Sequence, residues 1–134
     1  ITAIAESGAY NGVVFHRVID GFMAQTGDVE FGQSSGNTSR AGMGGSEMPD
    51  IKAEFSDEPF KRGIVGMARS QNPDSANSQF FIMFDDGDFL NGQYTVVGRV
   101  TDGMDVVDTI KLGKGGNGAV LGTPDMMKTV TVTE

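Results

Sequence analysis

The stretch Phe15 to Asp28, FHRVIDGFMAQTGD, decides how this chain is read. The residues Val13 to Ile19 are β-branched and aromatic and predict a strand; Gly21 turns the chain, and Phe22 to Gln25 returns as a short second strand. Inside this hairpin sits Arg17, and Gln25 follows the Phe22-Met23 pair. Apolar strands do not hold such groups without a partner or a purpose. Alternation sends Val14, His16 and Val18 to one face and Val13, Phe15, Arg17 and Ile19 to the other.

Outward from the hairpin, Ile1 to Tyr10 reads as the end of a helix that Gly8 stops. It has no good N-cap, so the helix is expected to begin before residue 1. Further strand-like runs occupy Gly63–Ala68, Gln79–Phe84, Tyr94–Val100 and Lys128–Thr133. A helix is expected within GMDVVDTIKL, residues 103–112, ended by Gly113. Between Phe31 and Asp50 lies a polar Gly/Ser-rich loop, longer than a compact domain keeps without a use. About six strands and two helices predict a mainly β fold, an antiparallel sheet closed or nearly closed into a barrel with helices capping its ends. No repeat or linker divides the chain, and residues 1–134 are read as one domain.

Composition narrows the chemistry. The chain has 134 residues and a formal net charge of −8, with no Lys/Arg run longer than two. Nucleic acid and anionic membrane both need a basic face, so neither is expected as a main partner. Cysteine is absent, which removes thiol nucleophiles and disulfides together. One histidine and no cysteine make no zinc set, and the acidic FDDGD (residues 84–88) lacks calcium-loop spacing. No apolar run reaches membrane-spanning length. The chain starts at Ile1 and not Met, which leaves an upstream leader open.

Two motif matches fail on context. GQSSG, Gly32 to Gly36, fits a nucleophile elbow but has neither the preceding strand nor the following helix. GKGGNG, Gly113 to Gly118, fits a dinucleotide fingerprint but follows a helix and opens nothing, so it reads as a helix stop and a loop. His16, between Phe15 and Arg17, reads as a hydrogen-bonded core histidine, not a base.

The strand faces assemble a different kind of site. Arg17, Gln25, Gln79 and Phe81 fall on strand faces, while Phe22, Met23, Phe89 and Leu90 sit at nearby turns. A greasy floor edged by a few donors describes a shallow binding groove better than a core. At this point FHRVIDGFMAQTGD, GMARSQNPDSANSQFFI (residues 66–82) and FLNGQYTVVGRV (residues 89–100) strongly resemble the cyclophilin-type peptidyl-prolyl cis-trans isomerases, the bacterial ones in particular. The likeness runs from about Ala9 to the last strand, in the same order.

The resemblance implies catalysis of rotation about the bond before proline, whose barrier is roughly 18–20 kcal/mol. It implies Arg17 as the catalytic residue, with its guanidinium at the proline nitrogen or neighbouring carbonyl. Phe22, Met23, Phe81 and Leu90 would form the proline pocket. Gln25, Ala68 and Arg69 would bind substrate backbone, Gln79 would orient Arg17, and Gly42 would line the adjoining groove. Phe89 and Tyr94 stand where the animal members carry Trp and His, which implies weak binding of cyclosporin-like cyclic peptides. No cofactor is implied; the partners are proline-containing peptides and unfolded proteins, and nothing demands more than a monomer. Turnover is not guaranteed by fold, so a non-catalytic proline-peptide binding or chaperone module is the second reading.

Two departures accompany the resemblance. Family members have an eight-stranded barrel, and here the first two strands and the start of the first helix are expected to be missing, leaving an open edge at the last strand. The loop 31–50 is longer than in the commonest members. That loop and GGNGAV, residues 115–120, are closer to exported bacterial members, which favours the periplasm over the cytoplasm.

Overall fold

The hairpin within FHRVIDGFMAQTGD forms, but the strand expected over 13–19 is split in two. The computed structural model describes residues 1–133. Strand β1 (Val13–Val14) and strand β2 (Arg17–Ile19) belong to different sheets. At the break, Phe15 N–H donates to Asp125 O at 2.8 Å and His16 O accepts from Val120 N–H at 3.0 Å, so the backbone changes partners between the sheets. Alternation therefore fails across the break, where Val13, Val14 and Phe15 are all buried. It resumes in β2, with Val18 buried and Arg17 and Ile19 half-buried on the other side.

The remaining strands are β3 (Met23–Thr26), β4 (Ile64–Met67), β5 (Phe80–Met83), β6 (Val96–Arg99) and β7 (Met126–Met127). They form an antiparallel five-stranded sheet in the order β2-β3-β5-β4-β6 and an antiparallel pair β1-β7. Short helices α1 (Thr2–Glu6) and α2 (Met104–Val107) and two 3₁₀ turns, at Asp88–Leu90 and Gly116–Gly118, complete the described elements. The mainly β, antiparallel expectation with two helices holds; among the described residues the strands form two sheets meeting at residues 15–16, with no continuous ladder closing a barrel.

Two further expectations change. The last strand is at Met126–Met127 against β1, not at Lys128–Thr133. The TVTVT alternation has β propensity, but propensity makes a strand only where a neighbouring backbone pairs with it; here Val130 N–H reaches a side chain, Asn11 Oδ1, at 2.8 Å. The helix expected through residue 112 stops after Val107. No residue of α2 is buried, and Thr109 Oγ1 donates back to Val106 O at 2.6 Å, a local bond that competes with continuation.

Register places the site. Directly paired residues on neighbouring strands point to the same face. The pairs Arg17↔Gln25, Gln25↔Phe81 and Phe81↔Gly66 therefore form one rung across four strands, and Ile19↔Met23 with Met23↔Met83 forms the next. Beneath this face lies a core cluster of Met23, Phe60, Ile64, Phe81, Met83 and Leu90. The opposite face carries Val18 and Ala24, which join Phe15 in a second cluster. A third cluster holds α1 through Ile4, Ala5 and Tyr10. The Tyr10 ring meets Phe80 edge-on at 5.5 Å, and its hydroxyl donates to Ser78 O at 2.7 Å. Burial pushes the Tyr10 phenol up to about 12.

The loop 31–50 is tethered through Asp28 at the end of β3. This carboxylate is fully buried and accepts four backbone N–H groups. Oδ1 takes Glu30 and Phe31 at 3.0 and 2.9 Å, and Oδ2 takes Gly42 and Gly44 at 2.8 and 2.9 Å. A buried carboxylate is costly unless its lone pairs are filled, and here the loop backbone fills them.

Candidate active site

On the Arg17–Gln25–Phe81–Gly66 rung, the glycine makes room for the aromatic ring. A Cβ on Gly66 would lie 2.6 Å from Phe81 Cζ and 2.7 Å from Phe60 Cε2. Phe60 stacks behind Phe81 at 5.8 Å and 23°, and Tyr94 meets Phe81 edge-on at 5.8 Å. Phe81 is thus fixed as the floor of a pocket of about 120 Å³, lined by Arg17, Phe22, Met23, Gln25, Ala68, Arg69, Phe81, Leu90 and Tyr94.

Most of the residues singled out from sequence meet here. Phe89 does not line the pocket: it is 67% exposed and leans on Phe22 at 5.5 Å. Gly42 and Gln79 line an adjoining polar groove of about 490 Å³ that shares Gln25, Ala68 and Arg69 with the pocket. Gly42 to Ser46, from the 31–50 loop, form one wall of that groove, which gives the long loop a place beside the site. The Arg69 guanidinium lies 4.5 Å over the Tyr94 ring and donates from Nε and Nη2 to Gln93 O at 3.1 and 2.8 Å. Nη1 donates to Ser70 O at 3.0 Å. Arg69 therefore pins the Tyr94 wall.

Arg17 is held differently, by neutral acceptors. Its Nη1 donates to Gln25 Oε1 at 3.1 Å, its Nε to Asn117 O at 2.8 Å and its Nη2 to Asn117 Oδ1 at 3.2 Å. Behind Gln25 the amides run in one direction. Gln25 Nε2 donates to Gln79 Oε1 at 2.9 Å, and Gln79 Nε2 donates to Gly42 O and Gly44 O at 3.0 and 2.9 Å. The two loop carbonyls thereby fix the orientation of both amides, and Arg17 always meets an oxygen. Gln79 reaches Arg17 only through Gln25. A guanidinium has about five N–H groups; with three engaged, one on each Nη remains for a ligand at the pocket edge.

His16 departs from its sequence reading. Among the described residues its buried Nδ1 has no hydrogen-bond partner, so it is not the hydrogen-bonded core histidine expected. Burial lowers its pKa below the ordinary histidine value, with Asp28 opposing and Arg17 adding to the shift. Gly42 sits over the ring: at φ +104° a Cβ there would come within 3.1 Å of His16 Cδ2 and Nε2.

Sequence reasoning missed Phe60, Gly66, Asp28 and Asn117. Gly66 and Phe60 have no local signal, because their role depends on cross-sheet register. Asp28 was visible at the end of a strand before a glycine-rich loop. Asn117 lay inside the GKGGNG match that context had reduced to a loop.

The pocket is floored by Phe22, Met23, Phe81 and Leu90 with two arginines, Arg17 and Arg69, in its lining, and among the described residues no Ser, His or carboxylate lines it. A family model for "cyclophilin type peptidyl-prolyl cis-trans isomerase/CLD" matches residues 1–133. The chain is 62% identical over 134 residues to a probable peptidyl-prolyl cis-trans isomerase of Brucella abortus (strain 2308), covering 98% of this chain and 68% of that one. Among solved structures, it matches a Cryptosporidium parvum cyclophilin-type peptidyl-prolyl cis-trans isomerase in the presence of the dipeptide Ala-Pro. The TM-score there is 0.79 at 26% identity, with 99% of this chain and 82% of that chain covered. It also shares its fold with cyclophilin AquaCyp293 from Hirschia baltica, at TM-score 0.73 and 24% identity, covering 95% of this chain and 61% of that one. The chain belongs to the cyclophilin-type peptidyl-prolyl cis-trans isomerases, whose reaction is rotation about the Xaa-Pro bond.

Proposed function

We propose that Arg17 is the catalytic residue of this isomerase and that the slot floored by Phe81 grips the proline ring. The observation that carries this reading is the Arg17 guanidinium, held by three hydrogen bonds to neutral acceptors on Gln25 and Asn117 at the edge of the pocket floored by Phe81. Proline enters the slot against Phe22, Met23, Phe81 and Leu90. The remaining Arg17 N–H groups then donate to the proline nitrogen or the adjacent carbonyl. A hydrogen bond to the nitrogen draws its lone pair out of amide resonance and lowers the barrier that keeps the bond planar. No bond to carbon breaks. Spontaneous exchange takes roughly tens of seconds, so a gain of about 10²–10³ needs only about 3–4 kcal/mol. A few preorganised donors in a water-poor pocket supply an effect of that size. Arginine suits the task better than lysine because its planar fork fixes the donor directions.

Substrates are proline-containing peptides and flexible or unfolded protein segments, a reading supported by the Ala-Pro dipeptide present with the Cryptosporidium relative. Gln25 Nε2 has a second hydrogen free for substrate backbone beside the pocket. Cyclosporin-like peptides bind weakly, since Phe89 offers no indole N–H. This domain works as a monomer in the bacterial periplasm, a reading supported by the likeness of the 31–50 loop and residues 115–120 to exported bacterial members. A protease-coupled assay on a Xaa-Pro peptide tests the mechanism. Arg17→Ala should lose most of the rate while the peptide still binds in an NMR titration. Normal turnover by that variant would refute the role given to Arg17.

A further inference from the structure

The segment 113–120 lies along the free edge of β2 and is registered to it on both sides of Arg17. Gly113 N–H donates to Val18 O at 2.8 Å, and Val120 N–H donates to His16 O at 3.0 Å, while Ala119 bridges Arg17 itself. Between these anchors the chain makes a tight turn, closed by Gly118 N–H to Gly115 O and Ala119 N–H to Gly116 O, both at 3.2 Å. Asn117 occupies the turn at φ 59° and ψ 26°, the left-handed region that asparagine tolerates better than most residues. There its main-chain and side-chain oxygens face the same way, toward Nε and Nη2 of Arg17. Gly118 follows at φ +81° against Ile19, where a Cβ would collide with that side chain.

We infer that Asn117 is a positioning residue for the Arg17 guanidinium, so that residues 113–118 belong to the active site and are more than a helix stop. With Gln25 on the other side, Asn117 completes a clamp that leaves the guanidinium one orientation. A side chain as long as arginine otherwise samples many rotamers, and each hydrogen bond that selects one raises the fraction of time its donors meet the twisting bond. The inference rests on the reading of Arg17 as catalytic.

Asn117→Gly removes the Oδ1 acceptor while keeping the left-handed backbone and its carbonyl. It should lower kcat about three- to tenfold with KM nearly unchanged, because the slot residues are untouched. Backbone relaxation should remain as in the parent protein, while the Arg17 Nε–H resonance should show a lower order parameter. In an Arg17→Ala background the same substitution should have no further effect on rate. A kcat within twofold of the parent, a loss confined to KM, or an equal loss in the Arg17→Ala background would overturn the inference. Parent-level turnover by Arg17→Ala alone would instead overturn the catalytic reading beneath it.

Discussion

Replacing Asp28 by asparagine changes one atom's chemistry in a fully buried site and tests what holds the groove loop. Asparagine has a single carbonyl oxygen where the carboxylate has two. If that oxygen keeps Glu30 and Phe31, the amide NH2 faces the N–H groups of Gly42 and Gly44, now 2.8 and 2.9 Å away as donors. Two charge-assisted bonds are lost, at about 1.5–3 kcal/mol each, and two buried N–H groups lose their acceptor. The sum is about 3–6 kcal/mol. Swinging the loop outward to solvate those groups caps the loss, so about 3 kcal/mol is expected. With a urea slope of about 1–3 kcal/mol/M, the denaturation midpoint should fall by about 1–3 M. Native-state hydrogen exchange should show Gly42 and Gly44 losing protection before the β3–β5 amides do. Because Gly42 O and Gly44 O orient Gln79, kcat/KM on a Xaa-Pro peptide should drop as well. A midpoint shift below about 0.3 M with both glycine amides still protected would refute the account of Asp28 as the loop's tether.

Other expectations follow from single features. Gly66→Ala puts a Cβ against Phe81 and Phe60 and should cost about 1–3 kcal/mol in thermal melting while raising KM through a displaced pocket floor; an unchanged KM would count against that placement. Tyr10 gives an alkaline dependence: the folded phenol holds its proton to about pH 12 and the unfolded one to about pH 10, so stability is full below 10 and falls by about 2–3 kcal/mol between them. Tyr10→Phe should flatten that part of the urea-midpoint profile. For His16 the folded pKa is lowered, so below about pH 6.5 the unfolded chain takes up a proton that the folded chain refuses, and stability falls as pH falls. His16→Asn should lose less stability than the parent between pH 7 and pH 5. Phe89→Trp should tighten cyclosporin-like peptides in a calorimetric titration, and an unchanged affinity would show that the missing indole donor is not what weakens them.

Strand positions were largely legible because β-branched and aromatic runs such as IVGM and FFIM announce themselves locally. The break at Phe15–His16 was not, since it depends on Asp125 and Val120 arriving from the far end of the chain to take the backbone bonds. The misplacement of β7 has the same origin: TVTVT looks like a strand, yet the pairing backbone stands opposite Met126 and Met127. Within the site, Arg17, Gln25 and Phe81 stood out as polar or bulky residues on strand faces. Their alignment on one rung, and Gly66 as the space that Phe81 fills, are consequences of register and leave no trace in a local window. Asn117 lies a hundred positions from the side chain it holds, and only its place between glycines hinted at an unusual backbone.

The partners of Arg17 are all uncharged, and among the described residues no carboxylate pairs with it. A glutamate or aspartate would grip the side chain more firmly, but it would also cancel the field that the guanidinium projects into the slot. Amide oxygens immobilise without quenching. In a chain whose overall charge is −8, the cleft therefore keeps a local pole of the opposite sign, and a single amide-to-acid exchange at 117 would silence that pole while leaving the lining of the cleft unchanged.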